Sequence, residues 1–168
     1  MDATSEKRLA EVNPVLAGRV RALATSLGFP ILVTMGLRNS AEQEALWEQG
    51  RFALNIVNDK RAALNWPPLT PEENKIVTKA APGHSWHEYG LAVDVVPLDP
   101  KPDWDVTHPQ WGKIVETARL YSLLDGISFD DRPHLQPVEI PVSPTPEYEN
   151  FLKTVGLQGA WDYARLQP

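Results

Sequence analysis

Asp94 stands inside a run that is otherwise apolar, Leu91-Ala92-Val93-Asp94-Val95-Val96. Its β-branched residues suit an extended strand. Side chains alternate along a strand, so Leu91, Val93 and Val95 share one face while Ala92, Asp94 and Val96 share the other. A carboxylate carried into a packed sheet is costly unless a cation or several donors meet it. The chain therefore has to fold so that something cationic reaches Asp94. One reading is an ion pair with an arginine such as Arg38; the other is a metal ion.

The sequence contains no cysteine. That excludes disulfides, thiolate ligands and a cysteine nucleophile, so any metal rests on His, Asp and Glu. Only four histidines are available, His84, His87, His108 and His134. His87 precedes Asp94 by seven positions, with Gly90 between them. Glycine permits a sharp backbone path that returns the imidazole toward the strand. An imidazole and a carboxylate supply two of the three protein ligands of a catalytic zinc site, which keeps one position open. A second cluster, Asp131-Arg132-Pro133-His134-Leu135-Gln136, offers the rest. His134 opens a short strand and can complete the site, and Asp131 is placed to act as a general base. Asp130 and Asp131 before Pro133 are also ordinary turn residues. His84 reads as a loop histidine and His108 as a residue at a helix start.

Around these clusters the sequence predicts alternating elements. Asn13-Pro14 caps a helix that Gly28 ends. Residues 30–37 read as a buried strand, and Ser40-Ala41-Glu42-Gln43 as a capping box whose helix ends near Gly50. Residues 51–70 look irregular, and Thr70-Pro71-Glu72-Glu73 starts a helix to about Lys79. A helix over 109–124 follows the 100–109 loop. Short strands are expected at 127–129 and 134–138, and a helix pair in the tail, 139–168. This order describes an α+β domain with a small sheet. The length, 168 residues, suits one domain over 1–168. A net charge of −6 argues against nucleic acid as partner. No apolar run is long enough to span a membrane, and the N-terminus lacks the apolar core of a secretory signal.

Ser85-x-His87-x-x-Gly90-x-Ala92-x-Asp94 resembles the signature of the D-alanyl-D-alanine and L-alanyl-D-glutamate zinc metallopeptidases. That family includes vancomycin-resistance carboxypeptidases and dipeptidases and phage endolysin peptidases. Asp131-x-Pro133-His134 resembles its second motif. Gly36-x-Arg38, Gln43, Leu46, Gly50-Arg51 and Lys79-Ala80 resemble its N-terminal blocks, and the likeness runs over 30–137. Where the family often has Gly-Gly-x-Trp before the second motif, this chain has Leu124-Asp125-Gly126-Ile127-Ser128-Phe129.

The resemblance implies a small, mostly antiparallel sheet flanked by helices, a fold shared with the hedgehog signalling domain. It implies Zn2+ held by His87, Asp94 and His134, with Asp131 as general base. Arg38 would hold the substrate and stabilise the oxyanion, and Ser85 would hydrogen-bond the substrate. The implied substrates are peptidoglycan stem peptides, met by a monomer. The short Asp-x-Pro-His form resembles the endolysin branch, which favours cleavage between L-alanine and D-glutamate. The alternatives are D-alanyl-D-alanine carboxypeptidase or dipeptidase action, and a non-catalytic zinc-containing binding module. For a phage lysin, the expected location is the cytoplasm until release to the cell wall. Trp86, Tyr89 and Trp104 stand either as a wall for the substrate or as ordinary core and rim aromatics.

Overall fold

A computed structural model describes residues 1–129 and 131–166. The polar N-terminus, where the sequence suggests no element, forms helix α1 (Ala3–Leu9), capped by the Asp2 side chain. Only Ser5 and Leu9 of this helix are buried, too few to give a visible apolar period. Helix α2 (Pro14–Ser26) begins as expected. The Asn13 side chain accepts bonds from the backbone N–H groups of Val15 and Leu16 at 2.9 and 3.3 Å. Pro14 fills the first turn, where a missing N–H costs nothing. Leu16, Val20 and Leu23 bury one stripe of the helix.

Strands β1 (Ile31–Met35), β2 (Val93–Pro97), β3 (Leu123–Asp125) and β4 (His134–Pro137) form one sheet in the order β1-β2-β4-β3. Each neighbouring pair is antiparallel. β1 is an edge strand, and an unpaired edge exposes backbone groups that would otherwise invite another strand. Helix α1 covers that edge: Val33 N–H donates to Ser5 Oγ at 2.9 Å, and Arg8 donates to Val33 O at 2.5 Å. The register of β1 on β2 shifts between Val33 and Met35, which brings Met35 opposite Asp94. On β4, His134 lies opposite the same residue.

Helix α3 (Ser40–Glu48) starts one residue earlier than the sequence suggests. Its cap is Asn39, which exchanges hydrogen bonds with Glu42 at 2.8 and 3.0 Å. Residues expected to be irregular form helix α4 (Leu54–Ala63). It has no side-chain cap and buries only Val57, and Lys60 ties it to Glu44 and Glu48 of α3. The helix expected from Thr70 does not form. Its capping bonds do close, Thr70 N–H to Glu73 at 2.8 Å and Glu73 N–H to Thr70 Oγ1 at 3.4 Å. The following residues are drawn to the end of α3 instead. Asn74 bonds Gly50 and Phe52, and Gln49 and Arg51 donate to the carbonyls of Glu73 and Thr78.

Helix α5 (Pro109–Leu120) is shorter than expected, because Ser122 turns the backbone to φ 55° and Leu123 opens β3. Residues 127–129, expected as a strand, belong instead to a 3-10 turn over Gly126–Phe129. In the tail, α6 (Pro146–Ala164) is broken at Gly156, φ 75° and ψ −165°, so it comprises the expected two helical segments.

The core lies between the sheet and helices α2 and α5. Leu16, Val20, Leu23, Val33, Val93, Val95, Ile114 and Leu135 meet there, all essentially inaccessible. Burying each such side chain contributes roughly 1.5–3 kcal/mol. A second apolar cluster joins Trp86, Tyr89, Leu91 and Ala92 to Ile140, Tyr148 and Ala160 of the tail. This packing holds the segment between Ser85 and Asp94 from its far side.

Candidate metal centre

His87 sits in a 3-10 turn, Trp86–Tyr89, that ends at Gly90 in the left-handed conformation, φ 59° and ψ 29°. A side chain there would strain the backbone and press on Trp161, 3.3 Å from the position of a Cβ. The turn is stabilised from within by Glu88, a buried carboxylate bonded by Gly83 N–H at 2.8 Å and Ser40 Oγ at 3.1 Å. Gly90 lets the chain reverse into β2, and His87 meets Asp94 as the spacing suggests: His87 Nε2 lies 3.3 Å from Asp94 Oδ1. From β4, His134 Nδ1 lies 3.8 Å from the same oxygen. The two rings are edge to face, with centroids 5.2 Å apart.

Hydrogen bonds fix the tautomers. His87 Nδ1 faces Gly36 O at 2.9 Å. A carbonyl only accepts, so Nδ1 carries the proton and Nε2 presents a lone pair to Asp94. His134 Nε2 faces Gln136 Oε1 at 3.0 Å, which leaves Nδ1 toward Asp94. Burial, helped by nearby His87, pushes His134 down to about 4, so its ring is neutral at pH 7. Burial alone would raise the Asp94 carboxyl. His87, His134 and Arg38 outweigh it and hold Asp94 at about 2.

Two imidazole nitrogens and a carboxylate oxygen thus converge, with ligand atoms within 4.8 Å of one another. Asp94 Oδ1 is buried and has no hydrogen-bond partner among the described residues. Lone pairs brought together around an unsatisfied oxygen repel unless a cation lies among them. Ligand atoms about 2.0–2.2 Å from a tetrahedral ion stand roughly 3.3–3.6 Å apart, close to the spacing found. The donor set therefore fits a divalent metal ion. The ion-pair reading of Asp94 is also present in the fold: Arg38 Nη2 lies 3.9 Å from Oδ2. The arginine faces one oxygen of the carboxylate and the histidines face the other.

Arg38 is buried. Its backbone N–H donates to His87 O at 3.1 Å, and Nη1 donates to Gln43 Oε1 at 2.7 Å. Gln43 in turn donates to Ala80 O at 2.8 Å. Arg38 Nε has no hydrogen-bond partner among the described residues. Burial lowers the guanidinium pKa and Asp94 opposes that shift; the group stays charged. Ser85 is buried at the start of the His87 turn, its N–H 3.4 Å from Glu88 Oε2.

Asp131 occupies the turn before β4. Its N–H donates to Gly126 O at 2.9 Å, and its carbonyl accepts from His134 N–H at 3.1 Å. A Cβ on Gly126 would overlap the Asp131 carbonyl, so glycine is required for this closure. The turn reading of Asp131 is correct, and it does not exhaust the residue's chemistry. Desolvation, and then the charge of Asp94, raise its carboxyl to about 6 against the pull of His87, Arg38 and Lys79. Asp130 lies outside the described residues. Trp86 and Tyr89 are core aromatics, 2% and 0% exposed, and so are excluded from a substrate wall; Trp104 is 59% exposed. His84 is exposed, and exposed His108 sits at the start of α5, 3.6 Å from Asp103. Neither joins the cluster.

Sequence reasoning gave no role to Gln136, which bonds a candidate ligand, or to Gly36, whose carbonyl sets His87. For Gln136 a signal existed: two positions after His134 on one strand, it shares that face. For Gly36 none did, because any residue supplies a carbonyl.

A profile of the VanY family, described as D-alanyl-D-alanine carboxypeptidase, matches residues 10–129. The peptidoglycan L-alanyl-D-glutamate endopeptidase CwlK of Bacillus subtilis is 28% identical over 142 residues, 76% of this chain and 74% of that protein. Among solved structures, the L-Ala D-Glu endopeptidase ChiX of Serratia marcescens superposes with a TM-score of 0.52 at 22% identity, covering 82% of this chain and 88% of its own. The vancomycin-resistance D,D-pentapeptidase VanY of a VanB-type cassette, solved with Zn(II), gives 0.51 at 15% identity, covering 89% and 83%. Both superpositions establish the α+β fold with its small antiparallel sheet.

Proposed function

We propose, from the premise that the chain belongs to the VanY D-alanyl-D-alanine carboxypeptidase family, that it hydrolyses the L-alanyl-D-glutamate bond of peptidoglycan stem peptides, with zinc held by His87, Asp94 and His134. Family membership makes it a peptidoglycan peptidase, a hydrolase. The observation that carries the metal assignment is the convergence of two imidazole lone pairs on the unpartnered Oδ1 of Asp94. A zinc ion held there supplies Lewis acidity, polarising a carbonyl and making water acidic enough to attack at neutral pH.

The remaining work belongs to the chain's own residues. Asp131 takes the proton from the attacking water. In the metal-free fold its carboxyl is raised to about 6, more basic than an ordinary aspartate, which suits a general base. Arg38 keeps its Nε–H unspent. Its fixed charge stabilises the negative charge that grows on the substrate carbonyl oxygen. Gln43 holds the guanidinium through Nη1 and the His87 carbonyl holds the Arg38 backbone, and neither consumes Nε. Ser85, beside His87, hydrogen-bonds the substrate backbone.

The choice of bond rests on the Asp131-x-Pro133-His134 motif and on the likeness to CwlK. The family description favours a second reading, removal of the terminal D-alanine. Mass spectrometry of purified peptidoglycan digested with the zinc-loaded protein separates them. The expected product is a peptide that begins with D-glutamate, leaving L-alanine on the muramyl group. Loss of D-alanine alone would establish the carboxypeptidase reading. An undigested wall would remove both. Among the described residues no helix is long and apolar enough to cross a membrane.

A further inference from the structure

We infer that Gln136 is a positioning residue, anchored by the Pro141 carbonyl, that fixes which ring nitrogen His134 turns toward the metal. The inference rests on the metal centre proposed above. Gln136 is completely buried in β4, between Leu135 and Pro137. An amide in that place must find partners for its polar atoms or destabilise the sheet. It has two. Gln136 Nε2 donates to Pro141 O at 2.9 Å, and Oε1 faces His134 Nε2 at 3.0 Å.

The direction of the chain of bonds follows from its far end. Pro141 O is a carbonyl and only accepts, so the amide nitrogen has to face it. The amide oxygen is then left for His134. That oxygen has no hydrogen to give, so the proton sits on His134 Nε2. His134 Nδ1 is left with its lone pair on the side of Asp94, 3.8 Å from Oδ1. Flipping the amide would set oxygen against oxygen at Pro141 and nitrogen against the ring proton. The orientation is therefore fixed from the tail inward.

His87 is oriented differently. Its Nδ1 bonds a backbone carbonyl, Gly36 O. His134 depends on the chemistry of a side chain, and that chemistry can be changed. Pro141 O also accepts from Trp86 Nε1 at 2.9 Å. One carbonyl in the tail is thus the reference point both for Gln136 and for the residue next to His87. Partners of ligating imidazoles that fix tautomer and ring orientation typically govern metal affinity by about 10- to 100-fold.

Two variants separate this role from simple packing. Gln136→Met keeps length and bulk and removes the acceptor. Gln136→Glu keeps an acceptor for His134 and removes the donor to Pro141. Zinc affinity is measured by competition with a chromophoric chelator, and His134 ring nitrogens are followed by long-range 1H–15N NMR in metal-free protein. Gln136→Met is expected to bind zinc about 10- to 100-fold more weakly, with His134 no longer held as a single Nε2–H tautomer. Gln136→Glu is expected to keep zinc affinity within a few-fold and retain the Nε2–H signal, with a lower melting temperature from the lost tie to Pro141. Wild-type zinc affinity in Gln136→Met would overturn the inference, as would a Gln136→Glu protein as weak as Gln136→Met. His87→Ala is the control for the underlying reading. If it binds zinc undiminished, the metal centre itself is misassigned. If it loses zinc while Gln136→Met does not, only the role of Gln136 falls.

Discussion

Two aspartates serve this site from opposite surroundings. Asp94 is fixed in the middle of the sheet, with Met35 on one side and His134 on the other. Its carboxyl is held at about 2 by His87, His134 and Arg38 against the cost of burial. Asp131 stands in an exposed turn closed by Gly126, and its carboxyl is raised to about 6. One carboxylate is kept ionised and rigid, which suits the metal ligand proposed for it. The other is kept basic, which suits the general base proposed for it. Environments that drive like groups apart in pKa assign their jobs. The raised value of Asp131 in the metal-free fold is partly the work of Asp94, so the two carboxylates are coupled.

Removing the ligand carboxylate has the largest expected effect. Asp94→Asn loses zinc and turnover together, and metal analysis of the purified variant checks this. A variant that retains stoichiometric zinc would end the comparison. Asp131→Asn comes next: it keeps zinc and fold while turnover falls by about 10²- to 10⁴-fold. Protonation of a carboxylate base lowers kcat/KM on the acid side of the wild-type profile, and Asp131→Asn should lack that decline. Zinc content and steady-state rates on a defined muropeptide test both points. If Asp130→Asn is the inactive variant instead, the base lies one residue earlier.

Arg38→Lys is expected to lower turnover by about 10²- to 10³-fold with zinc and fold intact, because an ammonium lacks the planar fork and the Nε–H. A rise in KM with turnover unchanged would show that Arg38 grips a ground-state carboxylate instead. The smallest effect concerns stability. The folded state raises the Asp131 pKa, so it holds this proton more tightly than the unfolded chain does. Ionising the group therefore opposes folding, and that penalty disappears as pH falls through 6 toward the unfolded value near 4. Metal-free Asp131→Asn should melt above the wild type at pH 7 and level with it at pH 4. Calorimetry decides between this and a structural role, for which the variant would melt lower at both.

Much of the site was legible because its residues carry strong local signals. Asp94 broke an apolar strand, Gly90 marked the reversal, and His87 and His134 came from a set of four. The helix at Pro14 was visible for a similar reason, a proline at a first turn that tolerates it. Elsewhere the decisive contacts are long-range. Helix α4 buries a single residue and is secured by ion pairs to α3. The segment after Thr70 has a sound capping box but gives its Asn74 and two carbonyls to the end of α3. Helix α1 exists to cover an edge strand that follows it in sequence. Gln136 was passed over because its importance depends on Pro141, and no periodicity announces a carbonyl.

The pairing of Asp94 with His134 joins positions 40 residues apart along the chain. Closing a loop of that length costs on the order of 3 kcal/mol of chain entropy before any contact rewards it. The donor set is therefore assembled late, by the slow, nonlocal part of folding. An ion held by His87, Asp94 and His134 would behave as a reversible crosslink between β2 and β4, present only in the finished protein. Its withdrawal should speed amide exchange first in β4, and much less in the α2 side of the core. The same atoms that prepare the chemistry would then also record, residue by residue, whether the chain has completed its fold.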